Sequence, residues 1–569
     1  MHSFSLGRRN SPGRRRRTLR AAAATVSMVA GLGLLTACGD DTPPTVNYLV
    51  DARISTYNPN TVSGNADGVL MAFSRVLPGF SFLGASGQVI PDHDIGTATV
   101  VPGPSLTVRY DFNPKAVFSD GNAITCDDLL LSWAAQSGRF GDFAPATTAG
   151  YRDITKVDCS AGARTATVTF AKGHDYRDWL GLFGAGTLLP SHVVARDAGV
   201  AGVVDPIRAN NRDVMARIAK SWNSGFALRP GSVDPARLVS SGPYKIESFT
   251  TEGGLVLTRN EKWWGDPATT DRVVVWSTAA PENLPAGFDV VDIADGTLGE
   301  RDGKSAADQL GSANAKVADP RRALGIDEIV LSTAGAFSDP VKRQAFASCV
   351  PRDDLTRRFG SGAQLWNLRF LSPADTLGSA INGEFGKRYQ RADLPRARQL
   401  AAQRPLKVRL AYRGRDARNK AMVAAIADSC KQAGITVTDT ASPTTTVGDL
   451  GRTVDALLLT SGVSFAAAGA NDPARTSYQL RGGDPLNIGD FRDPPTSAAI
   501  DQLAATVNAE DRLRLARTVE NVAWRDVASI PLFATPRQQG FASTVGSVVP
   551  SAARSGTGWN MDRWKVSKR

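Results

Sequence analysis

Histidine is scarce in this chain. Its 569 residues hold four, His2, His93, His174 and His192, and none stands at zinc-ligand spacing from another histidine or a cysteine. That pattern gives no support to a metalloenzyme site. A G-x-S-x-G elbow is also missing, because "GASGQ" around Ser86 has Gln88 where the second glycine belongs. "GERDGKS", Gly299 to Ser305, is one residue short of a phosphate loop and reads as an exposed polar turn. The carboxylate pairs Asp127-Asp128 and Asp353-Asp354 are adjacent rather than one helical turn apart, which suits helix N-termini better than acid–base work. Nothing here argues for an enzyme, a metal or a cofactor. Past the first 37 residues there is no apolar run long enough to cross a bilayer, and no internal repeat.

Acids are absent before Asp40, while seven arginines fall within residues 8–20. An apolar, small-residue stretch, "AAAATVSMVAGLGLLTA", follows them, in the order of an export signal. Leu35-Thr36-Ala37-Cys38 resembles a bacterial lipobox, whose cysteine is acylated and becomes the mature N-terminus. Residues 1–37 are therefore expected to be a lipoprotein signal peptide, and 38–47, with two prolines, a polar tether. The chain would be held by lipid on the extracytoplasmic face of the cell membrane. The formal net charge is +11, but seven of those charges are leader arginines, leaving a scattered +4. The basic pI is thus no argument for a nucleic-acid partner. What remains from Cys38 onward is long enough for two or three cooperating domains.

Without Cys38 the cysteines number four: Cys126, Cys159, Cys349 and Cys430. An even count outside the cytoplasm suggests disulfides. In "VKRQAFASCV", Val341, Ala345, Phe346 and Cys349 share one helical face; in "MVAAIADSC", Val423, Ile426 and Cys430 do the same. Two inward-facing cysteines on neighbouring helices suit a Cys349–Cys430 bridge, which leaves Cys126 for Cys159.

Alternating segments such as "SLTVRYDF" and "ARTATVTFA" read as strands. Thr125 and Asp128 form a capping-box pattern before a helix whose stripe is Leu129, Leu130, Trp133 and Ala134. Asp339 and Pro340 open another helix as cap and first residue. The class is mixed α/β.

"LTVRYDFNPKAVFSDGNAITCDDLLLSW" and "SSGPYKIESFTTEGGLVLTRNEKWWGDP" resemble two blocks of family 5 extracellular solute-binding proteins, the peptide, dipeptide and nickel receptors of ABC importers. "FSDPVKRQAFASCVPRDDL" and "IPLF" (530–533) are similar to two later blocks, in the same order. A narrower set of actinobacterial lipoproteins with this pattern includes some that act in envelope glycolipid assembly. The chain departs from peptide receptors at "VDALLLTSGVSFAAAGANDPART", where Asp455 and Asp472-Pro473 remain but the family's Trp position is Ser or Gly.

The resemblance implies a two-lobed type II periplasmic-binding-protein fold with an extra subdomain. Lobe I would comprise 48–75, 240–325 and 530–569, the extra subdomain 76–239, and lobe II 326–529. It further implies a monomer that captures a small peptide-like solute, or alternatively a glycolipid, between its lobes. In the import reading its partner is an ABC permease/ATPase complex. Asp472 is expected at the cleft edge, either facing a ligand cation or merely capping a helix, with Arg475, Tyr57 and Asn487 as further ligand contacts.

Overall fold

Three sheets organise the chain in a computed structural model that describes residues 44–295, 310, 315–318, 324–402, 405–466 and 473–567. The leader, Cys38, most of the tether, the Gly299–Ser305 turn and Asp472 lie outside the described residues.

Strand Thr45–Val50 sits inside a seven-stranded sheet, running parallel to both neighbours, Arg272–Ser277 and Val290–Ala294. Gly254–Arg259 and Tyr244–Thr250 extend one side, and Arg537–Phe541 and Lys316–Val317 the other. A five-stranded sheet is ordered Thr436–Asp439, Lys407–Ala411, Ala456–Thr460, Ile326–Leu331, Ser529–Ala534. Its last three strands are buried at every residue. That is why "ALLLT" shows no alternation, while in "IDEIVL" the buried Asp327 and Glu328 are held by Arg418 and Ser529. A third, four-stranded antiparallel sheet (Gly96–Val101, Thr107–Phe112, Thr165–Phe170, Ile154–Asp158) belongs to the segment between the first and second strands of the large sheet.

Sheet membership corrects one boundary. Residues 530–534 were expected in lobe I, but Ser529–Ala534 pairs antiparallel with Ile326–Leu331 in lobe II. The return to the large sheet begins at Arg537, which pairs with Ala294. "IPLF" is apolar at every position, so its composition could not say which of two buried sheets it joins.

Local signals act as the residues suggest. Thr125 and Asp128 complete the capping box of helix Cys126–Gln136, and the Leu129, Leu130, Trp133 and Ala134 stripe is buried. Asp339 caps Pro340–Cys349. The cysteines pair as Cys126–Cys159 and Cys349–Cys430, with Cα separations of 5.6 and 4.8 Å. The second bridge lies in an apolar cluster with Phe337, Phe346 and Ile426. Trp263 and Trp264 pack on each other, and Trp264 donates to the Asp94 carbonyl, joining the large sheet to the extra subdomain. No helix among the described residues is long and apolar enough to cross a membrane.

Candidate functional site

Helix Val62–Asp67 of lobe I carries two polar residues that reach lobe II. Gly68 ends it at φ +70°, and a Cβ there would lie 2.3 Å from that of Ala466. Glycine is required for both reasons, the left-handed turn and the close approach. Facing it, the chain leaves Ala456–Thr460 through a tight turn in which Gly462 (φ 79°) and Val463 (φ 62°) are both left-handed. A β-branched residue in that region costs about 1–3 kcal/mol. The turn carbonyls of Gly462 and Val463 accept from Asn65 Nδ2 at 3.0 and 3.2 Å, and Phe465 N donates to the Ala66 carbonyl at 2.8 Å.

Further bonds join the lobes around this contact. Arg413 pairs with Asp67, with side-chain exposures of 15% and 11%, and its guanidinium stacks 4.5 Å from the Phe465 ring centre. Arg415 reaches Glu282 at 2.7 Å. On the other flank, Thr148 donates twice to Asp484, at 2.7 and 2.9 Å, and Arg177 N donates to the Ala504 carbonyl at 2.8 Å. Burial pushes the Asp484 carboxyl above the usual carboxylate range, against the Thr148 bonds that favour its ionised form.

Two cavities flank the contact. The smaller, about 240 Å³, lies beside the chain crossing, where Thr535 and Asp327 line it. Its charges are largely matched internally: Arg418 pairs with Asp327 at 2.5 Å, and Thr535 donates to Asp327 at 2.7 Å. Asp416 is pushed up to about 6 by burial, with Arg418 opposing.

The larger cavity, about 460 Å³, opens between the extra subdomain and lobe II. Its charged lining is four arginines, Arg177, Arg475, Arg512 and Arg554, and two acids, Asp178 and Asp375. Tyr151, Tyr176 and Gln136 add aromatic and amide surface. A cleft of mixed polar and apolar lining between lobes is the kind of place where a small solute is held.

Of the expected ligand contacts among the described residues, Arg475 alone lines this cavity, and its Nη2 also donates to Asn65 Oδ1 across the lobes at 2.7 Å. Tyr57 is fully buried instead: its hydroxyl donates to the Val239 carbonyl at 3.0 Å and its ring meets Phe73 edge-on. Asn487 is a loop brace, donating to the Arg481 and Phe491 carbonyls and accepting from Phe491 N. Both are polar groups whose bonds are spent on their own surroundings. Arg177, Arg512, Arg554 and Asp375 went unforeseen, since single charges on amphipathic segments look like solvated surface until the fold gathers them.

Two α/β lobes that meet directly around a cleft are the architecture of the solute-binding class of protein. The chain belongs to the bacterial extracellular solute-binding proteins, family 5, whose middle-region model matches residues 100–468. It is 36% identical over 569 residues to the uncharacterized lipoprotein Rv2585c of Mycobacterium tuberculosis, covering 98% of this chain and 100% of that one. It is 27% identical over 349 residues to the oligopeptide-binding protein OppA of the same species, covering 59% of this chain and 53% of that protein. Haemophilus influenzae OppA, solved with the peptide RPPGFSPFR, shares the fold with a TM-score of 0.71 at 16% identity, covering 93% of this chain and 100% of that one.

Proposed function

We propose that this protein is a lipid-anchored receptor that captures a small, peptide-like solute between its lobes and delivers it to an ABC permease. The observation that carries the reading is the 460 Å³ cavity walled by both lobes and flanked by direct interlobe bonds. A solute filling it would touch both walls only when they are together, so binding would favour closure by that difference in affinity. Anchoring through Cys38 would keep the receptor beside its membrane partner and raise its effective concentration there. The lipoprotein relative and the OppA similarity support this reading. We assign the protein a binding role rather than a catalytic one.

Mass spectrometry of compounds released from the purified, denatured protein tests the reading. Peptide-like solutes support import. A mannosylated lipid recovered in stoichiometric amount would overturn it in favour of a glycolipid-binding role on the same fold.

A further inference from the structure

The turn that lobe II presents to lobe I is held in a form its own residues disfavour. Thr460 and Ser464 pair across it, Thr460 N donating to the Ser464 carbonyl at 2.9 Å and Ser464 N to the Thr460 carbonyl at 3.2 Å. Between them Gly462 and Val463 are both left-handed, at φ 79° and 62°. Gly462 takes that form freely, whereas the Cβ of the β-branched Val463 crowds the backbone there. The bonds that favour this form come from the other lobe. Asn65 Nδ2 donates to the Gly462 and Val463 carbonyls at 3.0 and 3.2 Å, while Asn65 Oδ1 accepts from Arg475 Nη2 at 2.7 Å. The amide fits only one way round, because flipped it would set its oxygen against two carbonyls and its NH2 against a guanidinium. Within lobe II, beyond the Thr460–Ser464 pair, support for the turn is slack. Gly462 N reaches Gln479 Oε1 at 3.4 Å, a long bond. A void of about 10 Å³ lies beside Val463, walled also by Glu328, Gln479 and Leu480. That is room for about one water molecule, so the turn can change shape without displacing core side chains.

Resting on the reading of this cleft as the solute site, we propose that the Gly462–Val463 turn is a strained latch, which Asn65 holds left-handed when the lobes are together and which relaxes when Asn65 withdraws. Closing the cleft then carries the cost of forcing Val463 into the left-handed region, and the two Asn65 bonds offset that cost only in the closed form. The latch therefore biases the empty cleft toward opening. A solute that touches both walls supplies the difference and shifts the population to the closed form. Asn65 is the positioning residue of this device. Its oxygen is held by Arg475, which lines the larger cavity, and its nitrogen grips the turn, so the cavity wall and the latch share one amide.

The test is electron paramagnetic resonance distance measurement on detergent-extracted full-length protein with no solute added. Nitroxides on Glu247→Cys in lobe I and Asp428→Cys in lobe II, both exposed positions, report the ratio of closed to open forms. Val463→Gly removes the Cβ that makes the left-handed form costly. Val463→Ala removes nearly the same packing but keeps a Cβ. The closed-to-open ratio in Val463→Gly should exceed that in Val463→Ala by about fivefold or more, the low end of what such backbone strain amounts to. Asn65→Asp keeps the acceptor for Arg475 but loses both donors to the turn, and should lower the ratio by about tenfold. A ratio in Val463→Gly no higher than in Val463→Ala would show that the turn keeps one shape in both forms and would overturn the proposal, whatever either variant does to the melting temperature. Should Val463→Gly fail to fold, Asn65→Asp decides on its own: an unchanged ratio there would mean that the grip on the two carbonyls contributes nothing to closure, and would refute the latch. Because no solute is added, either failure leaves the receptor reading to be judged separately by the released-compound experiment.

Discussion

Replacing Asp67 with Asn should open the cleft. Asp67 ends the lobe I helix Val62–Asp67 and pairs with Arg413 of lobe II, where the two side chains are 11% and 15% exposed. Burial pulls the Arg413 pKa down while the Asp67 carboxylate pulls it up, so the pair offsets the cost of holding this charged guanidinium between the lobes. In Asp67→Asn the closed form would hold Arg413 with a neutral neighbour, whereas in an open form water would solvate it. Truncating one member of such a pair costs about 2–5 kcal/mol. At roughly 1.4 kcal/mol per tenfold, the ratio of closed to open forms should fall by a factor of between about thirty and several thousand. X-ray scattering of the unliganded protein should report a larger radius of gyration, and solute affinity should drop as the competent state becomes rarer. The lobes should keep their own melting transitions, because neither core is touched. If scattering and affinity both stayed within twofold of the parent, the pair would be a surface ornament and the closure reasoning would be wrong.

Three other outcomes are expected. Non-reducing peptide mapping should find Cys126–Cys159 and Cys349–Cys430, and the Cys349→Ala/Cys430→Ala double variant should lose about 4–5 kcal/mol on chain-entropy arithmetic for a separation of 81 residues, read from urea unfolding. Glu328 is pushed up to about 7 by burial, against a Ser529 hydrogen bond and the Arg369 charge that favour ionisation. Its folded-state value is raised, so the folded form binds more protons than the unfolded chain between about pH 4.5 and 7. Stability should therefore fall as pH rises through that window, and Glu328→Gln should flatten the fall, by up to about 3 kcal/mol between pH 5 and 7.5. Finally, Cys38→Ala should move the protein from membrane to soluble fractions with an unchanged melting temperature; a membrane-bound variant would contradict the tether.

Short-range chemistry was legible from the residues alone. Thr125 with Asp128, and Asp339 with Pro340, state where helices begin because their partners lie within one turn. The apolar faces around Cys349 and Cys430 foretold their pairing because a helix fixes which side chains point together. Four sequence blocks in order named the family, and with it two lobes. Tertiary structure alone decided which polar residues face the cleft. Tyr57 and Asn487 have the chemistry of ligand contacts, yet their hydrogen bonds go to Val239, Arg481 and Phe491, partners set by packing. Arg177, Arg475, Arg512 and Arg554 meet around one cavity from positions 177 to 554, a convergence no local pattern encodes. Hydrophobic periodicity records which face of an element is buried. The composition of a cavity between lobes depends on how the faces left over are brought together, and that is settled by the packing of the whole chain.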